Sequence, residues 1–300
     1  MNRSFLQIKT YAKINLFLDV INKREDNYHN LQTLFHSISL HDVLSMELIK
    51  SDNFDKNKSE KLIIKIDSNN KSIPLDENNL VHKAIKNLVN TYYSDNSYNL
   101  HFKIFIEKNI PPEGGLAGGS TNAAAALNLC NKMLNLNLNN KVLIDIASKL
   151  GADIPFCIKT GTAIGTGIGD KLEYLKDFPS LDFIIALPDF SVSTPWVFKN
   201  LDFNALKKAP KIEDTIISFR DKKEYILYNA LETIVIPQFP QIKMIKDEFM
   251  RLGCNSCLMS GSGSTVLGIL NKTSDFEYIY DNFNIPNINL IKSHSQNGDI

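Results

Sequence analysis

The chain has 300 residues, more than one hydrophobic core usually serves, so its length favours two domains. Its hydrophobic share of 43% and charged share of 22% are typical of a globular protein and exclude disordered, collagen-like and coiled-coil classes. The 33 basic and 33 acidic residues cancel, and the sequence lacks the basic excess or basic stripe that nucleic-acid binders carry. We therefore expect no nucleic-acid partner.

The cysteines and the apolar runs indicate the cellular compartment of the protein. Cys130, Cys157, Cys254 and Cys257 are too sparse for the disulfide framework of a secreted protein. Apolar runs are shorter than the roughly 18 residues of a membrane span, and the first residues lack the pattern of a secretory signal. We therefore expect a cytoplasmic protein with no membrane partner. Cys254 and Cys257 have metal-like spacing, but no second pair completes a tetrahedral site, so no metal site is predicted.

The first half of the chain alternates helix-like and strand-like segments. Apolar residues recur at helical spacing over 80–89 and then alternate with period two over 100–106, which predicts a helix followed by a strand. Residues 120–134 open with Ser-Thr-Asn, which suits a helix N-terminus, and continue through an alanine run. A further helix is predicted over 142–150, before Gly151, because glycine is favoured just past a helix end.

Beyond about residue 175 the pattern of strands and helices restarts. The sequence predicts strands at 182–188 and 265–270, and helices at 224–234 and 241–252. Mixed strands and helices in both halves indicate an α+β architecture. We expect two domains, at 1–175 and 176–300, and a surface loop over the polar stretch 50–60.

A glycine-rich segment between a predicted strand and a predicted helix is the strongest functional signal. Residues 111–121 read Pro-Pro-Glu-Gly-Gly-Leu-Ala-Gly-Gly-Ser-Thr. Glycines let the backbone approach an oxygen-rich ligand closely, and the following helix N-terminus offers unpaired N–H groups and a partial positive charge. Because Ser120 and Thr121 add hydroxyls, we favour a phosphate-binding loop over a turn that only packs.

This loop matches neither of two common nucleotide-binding motifs. It lacks the Gly-Lys-Ser/Thr ending of a P-loop, and its glycine spacing differs from that of a dinucleotide fingerprint. A second glycine cluster, at 260–265, by itself predicts a tight turn. A third cluster, at 161–169, precedes a charged Asp-Lys-Leu-Glu segment and predicts a strand and turn.

Three motifs in a fixed order relate the chain to a known superfamily. They are Ala-Lys-Ile-Asn-Leu-Phe-Leu at 12–18, the glycine-rich loop, and Met-Ser-Gly-Ser-Gly at 259–263. This ordered triple resembles the GHMP kinases, named for galactokinase, homoserine kinase, mevalonate kinase and phosphomevalonate kinase. Segments at 24–35, 151–155 and 193–198 are most similar to the members that phosphorylate a cytidine diphosphate derivative.

The resemblance implies both a fold and a reaction. The fold would be the two-domain GHMP kinase fold, α+β, with a ribosomal-protein-S5-like N-terminal domain and a ferredoxin-like C-terminal domain. The reaction would transfer the γ-phosphoryl group of ATP, with Mg²⁺, to a hydroxyl group of a small-molecule substrate. Such a transfer has a loose transition state, so positioning and charge neutralisation matter more than a strong base. Magnesium ligands are not assigned, and we expect a monomer or weak homodimer.

The resemblance also implies site residues, one by one. The catalytic lysine corresponds to Lys13 and the catalytic acid to Asp153. The ATP-binding residues correspond to Pro111, Pro112, Glu113, Gly114, Gly115, Leu116, Ala117, Gly118, Gly119, Ser120 and Thr121. The substrate-binding residues correspond to Asn15, Tyr28, His29, Lys108, Thr194 and Phe198. Rings at Tyr28 and Phe198 are suited to sandwich a cytosine, and His29 is suited to hydrogen-bond to its edge.

The chain departs from the superfamily's pattern at two positions of the glycine-rich loop, and two rival functions stay open. The superfamily's loop usually carries glycine where Ala117 stands and often serine where Thr121 stands. One rival is a GHMP kinase for another alcohol, such as homoserine or mevalonate, which the retained cytidine contacts disfavour. The other is a catalytically inactive nucleotide-binding regulator, which the presence of Lys13 and Asp153 disfavours.

Overall fold

The computed structural model describes residues 2–52, 61–94, 98–221, 225–271 and 274–298. The chain divides into two compact units, each built from separate stretches of sequence. The first unit comprises Met1–Ala12, His41–Pro112 and Gly118–Lys159, and the second comprises Lys13–Leu40, Glu113–Ala117 and Thr160–Ile300. The division at residue 175 stays a prediction, and most of the predicted surface loop, at 53–60, lies outside the described residues.

Two long strands contribute residues to both units. These are β1 (Asn2–Lys23) and β2 (His29–Asp52). From Ala12 to Leu18, β1 is buried at every position, so successive side chains on both faces of the strand are covered. The sequence 12–18 therefore reads as a nearly continuous apolar run, interrupted only by Lys13 and Asn15.

In the first unit, helices pack against a sheet of order β3-β4-β2-β1. Its further elements are β3 (Leu62–Ser68), α1 (Leu80–Tyr92), β4 (Tyr98–Glu107), α2 (Gly118–Met133), α3 (Asn140–Ser148) and α4 (Ile154–Lys159). β3 runs parallel to β4, and β4 runs antiparallel to β2. Phe102 and Ile104 of β4 are buried, as are Ala123–Ala126 of α2, whose small side chains permit close packing on α1.

In the second unit, a four-stranded antiparallel sheet has the order β11-β7-β10-β9. Besides the parts of β1 and β2, the elements of this unit are β5 (Thr162–Thr166), β6 (Lys171–Tyr174), β7 (Asp182–Pro188), α5 (Thr194–Lys199), α6 (Ile212–Asp221), β8 (Tyr228–Asn229), α7 (Glu232–Gln238), α8 (Gln241–Arg251), β9 (Ser256–Met259), β10 (Val266–Leu270), α9 (Phe276–Asn282) and β11 (Ile288–His294). The core of this unit includes Ile184, Ile245, Phe249 and Val266. β5 pairs with β2, and β8 pairs in parallel with β1.

Most sequence-based elements are confirmed, within a few residues at their ends. The helix predicted to open at Ser120 begins at Gly118, so the last two glycines of the loop belong to its first turn. The helix predicted over 224–234 is confirmed only from Glu232, where α7 begins; it is wrong before that, and residue 224 lies outside the described residues. Tyr228 and Asn229 form β8 instead, because they pair with β1, a long-range contact that local periodicity does not reveal.

Both helices and strands occur in each unit, which agrees with the predicted α+β architecture. In the described ranges, no helix combines the length and the apolar character needed to cross a membrane.

Candidate active site

In the second unit, the glycine-rich loop alternates between two backbone regions. Glu113, Gly115 and Ala117 are left-handed, at φ 57°, 75° and 57°, whereas Gly114 and Leu116 between them are not. Such alternation turns successive N–H groups toward a common centre and forms a concavity that binds anions. The backbone of 113–117 therefore fits the phosphates of a nucleotide.

Gly115 occupies a position that no larger residue can take. A Cβ built there would lie 2.4 Å from the carbonyl oxygen of Ser260. The Ser260 hydroxyl also donates to the carbonyl oxygen of Gly115 at 3.1 Å. Residues 260–263, which we call the late glycine loop, thus pack backbone to backbone on the glycine-rich loop. The tight turn predicted for this cluster is present, since the N–H of Gly263 bonds to Ser260 at 2.9 Å.

In the first unit, the same loop ends in the first turn of α2. The first N–H groups of a helix have no partner within it, so Gly118, Gly119 and Ser120 bring donors to this end. Gly119 is exposed, Ser120 is partly exposed and Thr121 is buried. Of the two predicted hydroxyls, Ser120 is therefore the more accessible to a ligand or its magnesium ion.

Lys108 lies next to the start of α2 and belongs to a buried polar cluster. A Cβ on Gly118 would lie 2.8 Å from the Lys108 Nζ, so glycine at 118 leaves room for the ammonium group. Lys108 Nζ donates to Asp42, whose carboxylate also accepts from Asn122 Nδ2 at 3.0 Å. The other oxygen of Asp42 accepts from the backbone N–H groups of Asn109 and Ile110, each at 2.7 Å. Asp42 thus joins the residues before the glycine-rich loop to the helix after it.

In the second unit, Lys13 is buried beside the glycine-rich loop. Its backbone N–H donates to the carbonyl oxygen of Leu116 at 3.1 Å. Its Nζ donates to Asn15 Oδ1 at 3.0 Å and lies 5.1 Å from the centre of the Phe35 ring. Asn15 in turn donates to Thr33 Oγ1 at 2.8 Å. With Lys13 5% exposed and Asn15 2% exposed, this chain of bonds fixes the direction of the ammonium group.

Asp153 lies in the first unit, in the turn directly before α4. Its side chain is partly buried, whereas the helix that follows is apolar and buried from Ile154 to Ile158. The apolar helix anchors the turn, and Asp153 at its start is only partly buried.

Aromatic rings gather around His29 in the second unit. The imidazole stacks on Phe198 at 5.0 Å between ring centres and on Phe203 at 6.1 Å. Tyr28 is predicted to form a sandwich with Phe198. In the structure Tyr28 is 60% exposed, and the ring that stacks on Phe198 is that of its neighbour, His29. Burial, and to a smaller extent the charge of Lys23, lowers the pKa of His29 below 6.5.

Thr194, at the start of α5 in the second unit, is exposed and bonds to the late glycine loop. Its hydroxyl lies 2.6 Å from the hydroxyl of Ser262. The late glycine loop therefore contacts both Gly115 and Thr194, two residues that the sequence assigned to different ligands. Among the described residues, no group of three or more His, Cys, Asp or Glu side chains is arranged to hold a metal ion.

Three residues of these clusters were not singled out by the sequence. Asp42, Phe203 and Asn229 each contact a residue that was. Asp42 bonds to Lys108 and Asn122, and Asn229 donates to Met259 and Gly261. These partners lie far along the chain, so nothing in the local sequence marks either residue. Phe203 lies between α5 and α6, and the ring is 40% exposed.

Residues 79–161 match the GHMP kinases N terminal domain. A protein of Clostridium beijerinckii called 4-diphosphocytidyl-2-C-methyl-D-erythritol kinase is 38% identical over 280 residues, covering 92% of this chain and 95% of its own. A kinase of the same name from Caldicellulosiruptor bescii is 38% identical over 268 residues, covering 88% of this chain and 89% of its own.

Solved structures agree with this relationship. A crystal structure of 4-(cytidine 5'-diphospho)-2C-methyl-D-erythritol kinase superposes with a TM-score of 0.76 at 26% identity, covering 98% of this chain and 100% of that one. The homoserine kinase of Cytophaga hutchinsonii shares the fold at 17% identity, with a TM-score of 0.64 and coverage of 97% and 95%. The chain belongs to the GHMP kinases, in the family of the 4-diphosphocytidyl-2-C-methyl-D-erythritol kinases.

Proposed function

We propose that this chain transfers the γ-phosphoryl group of ATP to the 2-hydroxyl of 4-diphosphocytidyl-2-C-methyl-D-erythritol, giving the 2-phosphate and ADP. This reaction belongs to the non-mevalonate (methylerythritol phosphate) route to isoprenoid precursors. The observation that carries the proposal is the 38% identity over 92% of the chain to a kinase with that substrate in its name. The buried lysine beside an anion-binding loop gives the proposal a chemical basis.

The phosphates of ATP are proposed to bind along 111–121. Support comes from the alternating backbone at Glu113, Gly115 and Ala117 and from the unpaired N–H groups at the start of α2. Mg²⁺ bound with ATP would neutralise charge on the transferred group. Ser120 offers the accessible hydroxyl for that ion, and we assign no further protein ligand.

Asp153 and Lys13 are proposed to act on the reacting hydroxyl. Asp153 would orient the hydroxyl and accept its proton late in the transfer, as a carboxylate within hydrogen-bond reach of the hydroxyl can. Lys13 would stabilise negative charge that develops as the oxygen loses its proton. The bonds from Lys13 to Asn15 and from Asn15 to Thr33 support this role, since they hold the lysine in one direction before substrate arrives.

The cytosine is proposed to bind at the aromatic cluster of Tyr28, His29 and Phe198. A neutral imidazole carries one donor and one acceptor on separate ring nitrogens, so one of them can hydrogen-bond to the edge of cytosine. The lowered pKa of His29 keeps the ring neutral at pH 7 and so supports this role. Thr194, which is exposed, is proposed as a further polar contact, whereas Asn15 and Lys108 stay predictions, since Asn15 is 2% exposed and the Lys108 side chain is 3% exposed in its ion pair with Asp42.

The experiment that tests the proposal is ADP release from purified protein with Mg-ATP, with and without 4-diphosphocytidyl-2-C-methyl-D-erythritol. We expect release only with the substrate, and a fall of several orders of magnitude in kcat for Asp153→Asn, with ATP binding nearly intact. Asp145→Asn, an exposed aspartate of α3 in the same unit, is the matched control and should keep wild-type turnover. Wild-type turnover in Asp153→Asn would remove that residue from the mechanism.

The rivals differ in what they bind. A kinase for homoserine or mevalonate would show no thermal stabilisation by CDP but would turn over its own alcohol. The fold alone permits this rival, because homoserine kinase and mevalonate kinase share it. A regulator without activity would bind ATP and release no ADP with any of these alcohols.

A further inference from the structure

Two side chains, one at the end of β8 and one at the start of α7, hold the backbone that leads into the late glycine loop. Asn229 Nδ2 donates to the carbonyl oxygens of Met259 and Gly261, both at 2.8 Å. Glu232 Oε1 accepts from the backbone N–H of Met259 at 2.8 Å. These two side chains, which we call the 229–232 clamp, fix the peptide groups on both sides of Met259.

The amide of Asn229 has only one orientation that suits its surroundings. Its two N–H donors are used by two carbonyl oxygens, and its Oδ1 accepts from the N–H of Leu231 at 2.9 Å. The residue is 4% exposed, so water does not replace these partners. A carboxylate at 229 would place an acceptor against two carbonyl oxygens, which is unfavourable in a buried site.

Glu232 is held in turn by Lys246 of α8. Lys246 Nζ bonds to both carboxylate oxygens, at 2.7 Å and 2.6 Å. The ion pair leaves Glu232 Oε1 shared between the ammonium group and the N–H of Met259. Glu232 therefore has two separable functions, an ion pair with Lys246 and a bond to the backbone of β9.

The loop that the clamp fixes contacts both sides of the proposed reaction. Ser260 bonds to the carbonyl oxygen of Gly115, in the proposed ATP loop, at 3.1 Å. Ser262 bonds to Thr194, a proposed substrate contact, at 2.6 Å. The two loops are in close backbone contact at Gly115, where a Cβ would lie 2.4 Å from the carbonyl oxygen of Ser260. A shift of the late glycine loop would therefore move the glycine-rich loop as well.

We propose that Asn229 and Glu232 are positioning residues of the kinase reaction. They touch neither ligand, and they act by fixing the late glycine loop, which sets Gly115 on the nucleotide side and Thr194 on the acceptor side. The inference rests on the proposed function for the identity of the two ligands. It predicts that one substitution in the clamp weakens binding of both.

The first test is Asn229→Asp, which keeps the size of the side chain and reverses its hydrogen bonding. We expect the KM values for ATP and for 4-diphosphocytidyl-2-C-methyl-D-erythritol each to rise at least about tenfold, the effect of losing one or two buried hydrogen bonds. The matched control is Ile279→Ala, which creates a cavity in the core of the same unit. Ile279 lies in α9 and is 0% exposed. It should lower Tm while both KM values stay at wild type. Equal losses of Tm in the two variants, with wild-type KM values in both, would overturn the proposal.

A second pair of variants does not depend on Asn229→Asp being folded. Glu232→Gln with Lys246→Met removes the ion pair and keeps an oxygen acceptor for Met259, whereas Glu232→Leu with Lys246→Met removes both. We expect the leucine version to have KM values at least about tenfold above those of the glutamine version. Equal KM values would show that Glu232 acts only through its ion pair, which contradicts the positioning role.

ATP binding measured by calorimetry separates this inference from the proposed function. If the wild-type chain binds ATP but does not phosphorylate the proposed substrate, the proposed function is wrong. A weaker affinity for ATP in Asn229→Asp than in Ile279→Ala would still support the clamp, and equal affinities would refute it. A wild-type chain that does not bind ATP overturns both proposals.

Discussion

Asp42 and Lys108 form an ion pair in the first unit with side chains that are 0% and 3% exposed. The carboxylate also accepts from Asn122 Nδ2 and from two backbone N–H groups, so all of its bonds are made within the fold. Four donors around one carboxylate compensate for the cost of burying its charge. The pair therefore ties the strand before the glycine-rich loop to the helix after it.

Replacing Asp42 by asparagine should destabilise the protein strongly. The amide nitrogen must face either Lys108 and Asn122 or the backbone N–H groups, and the Lys108 charge is left buried without its partner. We expect a loss of about 3–5 kcal/mol in the free energy of unfolding, measured by urea denaturation. Asp247→Asn is the matched control, because its ion pair with Lys243 is about two-thirds exposed and should contribute no more than about 0.5 kcal/mol. Similar losses in the two variants would contradict the role assigned to Asp42.

Ala117 is a non-glycine residue in a left-handed conformation, at φ 57°. This conformation costs an L-residue about 1–2 kcal/mol, and glycine recovers it at an entropic cost of about 0.5–1 kcal/mol. Ala117→Gly should therefore raise the free energy of unfolding by up to about 1 kcal/mol and preserve turnover. Ala125→Gly, in the middle of α2, should instead lower it by at least about 1 kcal/mol. A loss of stability in both variants would show that φ at residue 117 is not the limiting factor.

The features that sequence predicted are those with a local signature. Glycines before a helix start predict the glycine-rich loop, and apolar residues at helical spacing predict α1. Asn229 and Asp42 carry no such signature, because their partners lie 30 and 66 residues away along the chain. For the same reason, local periodicity predicts a helix at Tyr228, whereas the residue pairs with β1 in the structure. The order of rings at the proposed cytosine site, with His29 on Phe198, likewise depends on tertiary packing.

His36 makes the stability of the second unit depend on pH. Its nitrogens bond to Thr162 Oγ1 at 2.8 Å and Ser295 Oγ at 2.7 Å, and the ring is 2% exposed. Burial lowers the pKa of His36 from 6.5 to about 3. Below pH 6.5 the unfolded chain binds a proton that the folded chain does not, so this contribution is present above pH 6.5 and is lost as the pH falls toward 3.

The expected slope is about 1.4 kcal/mol per pH unit for this one group, which begins below pH 6.5. Urea denaturation at pH values from 8 to 5 measures it in the wild type and in His36→Gln. The variant should be less stable at pH 8, because the buried bonds are altered, and its curve should be shallower below pH 6.5. Parallel curves for the two proteins would mean that His36 does not hold its proton differently in the folded state.

The aromatic cluster leads to a prediction about the choice of substrate. Phe198→Ala should raise the KM for 4-diphosphocytidyl-2-C-methyl-D-erythritol by about 5- to 150-fold, since stacking of a base contributes about 1–3 kcal/mol. The KM for ATP should change much less. Phe203→Ala should have a smaller effect in the same direction, because Phe203 stacks on His29 at 6.1 Å and acts through that ring.

Phe105→Ala is the control for this series, because Phe105 is similarly exposed, at 42%, but belongs to β4 of the first unit. It should leave both KM values unchanged. Thermal shift with CDP gives an independent measurement, in which stabilisation by CDP should decrease in the order wild type, Phe203→Ala, Phe198→Ala. A wild-type KM and a wild-type response to CDP in Phe198→Ala would mean that this ring serves packing alone, and the cytosine would then have to be recognised without it.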